Sequence, residues 1–135
     1  MTTAMRFAEA ATQLIGTPFR FRGRDTASGV DCVGLVALAL SHSGHTIPPL
    51  PAYRMRTASI AQFDSVLARL PLRRVEGVKS AGDIILLSPS ASQLHLAIIG
   101  ERGDLIHAHA GLGRVVASPP TLAWPSTAHW RLVTD

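Results

Sequence analysis

A change of apolar rhythm at Pro71 constrains the fold more than any other feature of this sequence. Before it, apolar residues recur at helical spacing. Beyond it they come in short runs rich in β-branched residues, "GDIILLS", "LHLAIIG", "DLIHAHA", "RVVAS" and "HWRLV", which read as strands. Upstream, Phe7, Ala11, Leu14 and Ile15 fall on one stripe of a helix that stops at Gly16 before Pro18. Nearly every residue from Cys32 to Leu40 is apolar, so the next helix is buried on most sides, and Gly44 closes it. "TASIAQFDSVLARL" predicts an amphipathic helix with Ile60, Phe63, Val66, Leu67 and Leu70 facing the core. Helices first and strands afterwards imply an α+β fold, with N-terminal helices packed on a C-terminal antiparallel sheet.

A chain of 135 residues, 47% hydrophobic and 16% charged, is expected to form a single domain over residues 1–135. Its one cysteine excludes an intrachain disulfide framework. No 18-residue apolar run is present, so no membrane partner is expected. The start, "MTTAMRFAEAATQLIG", lacks a basic region followed by an apolar stretch, so no signal peptide is expected and synthesis is assigned to the cytoplasm. The net charge of +4 favours an anionic partner. Its basic residues are scattered and aromatics make up only 5%, with no nucleic-acid-binding motif, so nucleic acid is not an expected partner.

Three features carry chemistry. Cys32 stands at a helix N-terminus, where unpaired backbone N–H groups and the helix dipole favour a thiolate. Asp31 suits the N-cap, while Gly29 and Gly34 allow close backbone approach. His95 opens an apolar strand, and His107 and His109, two apart, project from one face of the next. A cysteine nucleophile needs a base and the base an orienting group, roles that Cys32, His95 and His107 fill. The bland readings are a packed cysteine, a core histidine and, for "HAH", part of a metal site. If an odd number of residues joins the two histidine strands, all three histidines share a face and turn it towards the thiol. His42 and His45 read as helix-end residues, Trp124 and Trp130 as core or sheet-edge aromatics with groove lining as the lesser alternative, and His129 has no visible partner. Arg20, Arg22 and Arg24 share a face if extended, although a solvated loop is the simpler reading.

Together these residues resemble the NlpC/P60 family of cell-wall cysteine peptidases. "GTPFRFRGRDTASGVDCVGLV", from Gly16 to Val36, is similar to the family's "GTPYxxGG…GxDCSGLV". "HLAII" from His95, "LIHAH" with His107 and the Gly82–Asp83 pair match its later motifs in order. The resemblance implies a papain-like fold, a catalytic set of Cys32, His95 and His107, and hydrolysis of the γ-D-glutamyl–diamino-acid bond of peptidoglycan stem peptides. It implies neither metal nor organic cofactor. Phe19, Arg22, Asp31 and His109 are the residues expected around the substrate. Phe19 replaces the family's tyrosine, Val33 its serine, and Arg22 the first glycine of its pair. "DCVGL" is most similar to the branch found in phage tails and gene transfer agents, which implies a tail-associated protein acting on the cell wall with tail proteins as partners. The alternatives are a non-catalytic tail-assembly component and an amidase or acyltransferase on another substrate.

Overall fold

A six-stranded antiparallel sheet forms the C-terminal half of the protein, and the computed structural model describes it within residues 1–54, 59–91 and 93–133. The strands are β3 (Leu72–Arg74), β4 (Ile84–Ser90), β5 (Gln93–Ile99), β6 (Leu105–His109), β7 (Arg114–Ser118) and β8 (Ser126–Leu132), in the order β3-β8-β4-β5-β6-β7. Before the sheet come α1 (Thr3–Gln13), a hairpin of β1 (Arg24–Asp25) and β2 (Gly29–Val30), α2 (Cys32–His42) and α3 (Ile60–Leu67). All five strands expected from β-branched runs form. The hairpin and β3 were not expected, because two or three residues are too few to show a period of two.

The three helices begin as their sequences dictate. Thr2, Asp31 and Ser59 cap α1, α2 and α3, each side chain accepting from a backbone N–H three residues on. The third helix thus starts later than its periodicity suggests; residues 57 and 58 of the expected helix lie outside the described residues. Ile15, expected on the buried stripe of α1, is 42% exposed. The helix has ended at Gln13, and the turn through Leu14 to Gly16 carries Ile15 off the stripe. Gly44, with φ +103°, follows α2 as a left-handed terminator.

Strand alternation divides the sheet into two faces. Ile84, Leu86, Leu96, Ile98, Ile106 and Ala108 point towards the helices and share one core with Phe7, Val33, Leu35, Val36 and Phe63. Ile85, Leu87, Ala97, Ile99 and Leu105 form a smaller cluster, with Leu122 and Trp124 packed against it. Five residues, Gly100 to Asp104, join β5 to β6, and the register Ile98↔Ile106 pairs residues of equal parity. His95, His107 and His109 therefore share a face, but it is the second one by parity, whereas Cys32 lies in the helix-side core. The expectation that the shared face turns towards the thiol is corrected, because strand alternation gives that side to Leu96 and Ile106.

Candidate active site

The first turn of α2 is tied to the loop before it through one carboxylate. Asp31 is fully buried. Its Oδ1 accepts from Gly34 N at 2.7 Å, and its Oδ2 accepts from Arg22 N at 2.8 Å and from the Tyr53 hydroxyl. Arg24 donates to the same tyrosine oxygen at 2.9 Å. Backbone crosses here at a distance only glycine permits. A Cβ on Gly34 would lie 2.0 Å from the Gly23 carbonyl oxygen. Arg22 holds a left-handed backbone, φ 61°, which costs a non-glycine residue about 1 kcal/mol. Its guanidinium lies over the Phe21 ring at 5.0 Å. Arg20, Arg22 and Arg24 therefore do not form the extended row considered from sequence.

On the sheet, His95 Nε2 and His107 Nδ1 are 2.8 Å apart, and His107 Nε2 is 2.8 Å from Ser118 Oγ. Trp124 meets the two imidazoles edge to face, at centroid distances of 5.7 and 5.6 Å. His109 stands 5.7 Å from His107, and its Nδ1 accepts from Leu112 N at 3.0 Å, closing the turn into β7. A cleft of about 940 Å³ opens beside this relay, with Phe19, Arg22, Tyr53, His95, His109 and Trp124 in its wall.

The residues expected from sequence are thus distributed unevenly. His95, His109, Phe19 and Arg22 reach the cleft. His107 is 1% exposed and Cys32 and Asp31 are fully enclosed. Cys32 belongs to the helix-side core, where the backbone of Leu96, the residue after His95, lies against its thiol. No hydrogen bond joins Cys32 to His95 among the described residues. Among those residues no group of three or more His, Cys, Asp or Glu side chains is disposed to hold a metal ion.

Burial governs the protonation states. It pushes the Cys32 thiol up to about 12, reinforced by the charge of Asp31, while backbone amides of Leu96 and Val33 oppose it. The expectation that the helix terminus lowers this pKa is therefore corrected: the terminus favours an anion, but complete desolvation outweighs it. Burial and then the neighbouring His107 push His95 down to about 3; burial and His109 push His107 down to about 4. Both imidazoles are neutral at pH 7, and each carries one proton and one lone pair.

Nothing in the sequence singles out Tyr53 and Ser118 for the site. Tyr53 sits in a proline-rich loop and meets Asp31 across 22 positions, with no periodicity to announce it. Trp124 lines the cleft, the lesser of its two readings from sequence. Trp130 is in the core as expected, and His45, as a helix-end residue, contacts the Leu40 carbonyl through its backbone N–H and Nδ1.

A sequence profile of the NlpC/P60 family matches residues 16–132. The chain belongs to the NlpC/P60 family. No curated protein sequence matches it. Among solved structures, NlpC2 from Trichomonas vaginalis superposes with a TM-score of 0.70 at 18% identity, covering 98% of this chain and 47% of that one. RipB, a peptidoglycan hydrolase from Mycobacterium tuberculosis, gives 0.63 at 22% identity, with 98% and 65% covered. RipD from the same organism, a non-catalytic NlpC/P60 domain protein adapted to peptidoglycan binding, gives 0.64 at 18% identity, with 99% of both chains covered. The chain thus spans about half the length of NlpC2 and two thirds of RipB. At these identities the likeness is one of fold, and NlpC/P60 domains of this fold include both hydrolases and a non-catalytic binder.

Proposed function

We propose that this NlpC/P60 domain is a cysteine endopeptidase that cleaves the γ-D-glutamyl–diamino-acid bond of peptidoglycan stem peptides. The observation that carries the reading is the His95–His107 hydrogen bond at the cleft, next in the chain to the Leu96 backbone that lies against Cys32. With His95 bound through Nε2, its Nδ1 is the nitrogen left to act as base. Sγ of Cys32 attacks the carbonyl carbon as Nδ1 of His95 takes the thiol proton. The resulting imidazolium gives that proton to the leaving amine, and the acyl-enzyme remains. Water, deprotonated by the now neutral imidazole, releases the acyl group. The backbone N–H of Cys32 is the first oxyanion donor, a contribution of about 3 kcal/mol in comparable sites. Because both partners are neutral at rest, proton transfer accompanies attack and no thiolate–imidazolium pair is stored.

The +4 charge suits an anionic envelope, and a phage-type particle whose tail proteins supply targeting is the delivery route we propose. The test is incubation with purified sacculi and identification of new amino termini by mass spectrometry. Wild type should free the amino group of the diamino acid, and Cys32→Ala should not. Cleavage by Cys32→Ala within about tenfold of wild type would overturn the cysteine mechanism. A second reading, peptidoglycan binding without cleavage, is favoured by the full enclosure of Cys32 and its lack of a hydrogen bond to His95. It predicts wild type that sediments with sacculi and yields no new termini.

A further inference from the structure

Among the described residues the histidine relay continues past His107, to a hydroxyl at the end of β7. Ser118 pairs with Leu105 across the strands, and so lies diagonally to His107 on the same face, 2.8 Å from its Nε2. A row of two neutral imidazoles and one hydroxyl has two consistent proton arrangements. In the first, His95 Nε2–H donates to His107 Nδ1, and His107 Nε2–H donates to Ser118 Oγ. The Nδ1 of His95 then keeps its lone pair. In the second every proton is reversed: Ser118 donates, His107 donates through Nδ1, and the Nδ1 of His95 already carries a hydrogen. Only the first arrangement supplies a base.

Resting on the peptidase reading, we propose that Ser118 is a positioning residue that accepts from His107 and thereby holds His95 in the tautomer able to take a proton. His107 is 1% exposed, so solvent is a poor substitute for that acceptor. The partly buried Ser118 can turn its own hydrogen elsewhere. Take the hydroxyl away and the two arrangements are no longer balanced. The first would leave a buried N–H without a partner, whereas the second leaves only a bare ring nitrogen, the milder loss. The relay then reverses, and the active tautomer becomes the minor one.

The experiment is nitrogen-detected NMR of the two imidazoles, combined with kinetics on a soluble stem peptide, for wild type, Ser118→Ala and Ser118→Thr. Wild-type His107 should carry its proton on Nε2. Ser118→Ala should move it to Nδ1 and lower kcat roughly tenfold with KM unchanged, the scale set by one unmade buried hydrogen bond. Ser118→Thr, which keeps the hydroxyl, should restore both. Wild-type His107 protonated on Nδ1 overturns the assignment without needing any variant. So does Ser118→Ala with an unchanged tautomer or a loss confined to KM. The expected tautomers in a protein that cleaves nothing would sink the peptidase reading while the Ser118 assignment stands.

Discussion

Two histidine networks hang on the same sheet, and they are built on opposite principles. At the cleft, His95 and His107 meet each other and a serine, with no carboxylate in the row. At Asp83, the residue before β4, Oδ2 accepts from His129 Nε2 of β8 at 2.7 Å, while Arg131 grips both oxygens at 2.8 and 2.9 Å and Ser80 N adds a fourth bond at 2.8 Å. Burial alone raises the Asp83 carboxyl, but the hydrogen bonds from Arg131 and His129 outweigh it and leave the group below its ordinary value. A fixed charge thus ties two strands together. The cleft pair, lacking such a charge, keeps neutral rings with lone pairs. Identical side chains become a staple or a base according to whether a carboxylate is buried with them.

Breaking the staple should give the largest effect of any single substitution. Asp83→Ala leaves Arg131 and His129 facing an empty position and should cost about 3 kcal/mol of unfolding free energy, the low end for a broken buried pair. Denaturant titration reads the loss, and cleavage per folded molecule should not change. A drop in activity at equal folded fraction would show that the two networks are not separate.

The converse change comes next in size. His107→Ala should lower turnover on the order of a hundredfold, as expected for the partner that orients a base. His109→Ala should cost less than about fivefold, because its Nδ1 is occupied by Leu112 N in the turn. Steady-state kinetics of both variants decides the order, and a reversed ranking would move the orienting role to His109.

A third effect is one of pH. His95 and His107 are lowered from 6.5 to about 3 and about 4, so the unfolded chain binds more protons than the folded one between those limits. Stability should be complete above about pH 6.5 and fall as pH drops towards 4, by at most about 1.4 kcal/mol per pH unit for each ring. The lowered Asp83 carboxyl acts in the same direction, but only around and below its ordinary value of 3.8, so the window from 6.5 to 4 isolates the histidines. Denaturant midpoints measured at pH 7, 5.5 and 4.5 test this. Equal midpoints at 7 and 4.5 would mean the relay is not neutral.

Much of this was legible in the sequence because it is local or periodic. Capping by Asp31, the strand runs, the helix-side core and the shared parity of the three histidines follow from spacings of a few residues. What escaped depends on contacts between distant segments. His129, given no role, finds Asp83 across 46 positions, although Gly82–Asp83 had been noticed as a motif. Tyr53 reaches Asp31 from an irregular loop, and Ser118 is one of several serines until the register of β6 and β7 places it. Burial of Cys32 was legible as the packed-cysteine reading, but that it outweighs the helix terminus was not, since a helix start gives the direction of its dipole and not how much chain covers it.

The near-contact of Gly23 with Gly34 has a mechanical consequence. With no slack between the loop and the helix that begins at Cys32, and with Arg22 pinned to the helix cap, this side of the cleft cannot retreat without dragging the first turn of α2 along. A ligand pressing on Phe19 or Arg22 pushes, in effect, on the seat of Cys32. On the peptidase reading proposed above, width becomes a criterion of selection: a peptide too broad for that opening would disturb the thiol before reaching it.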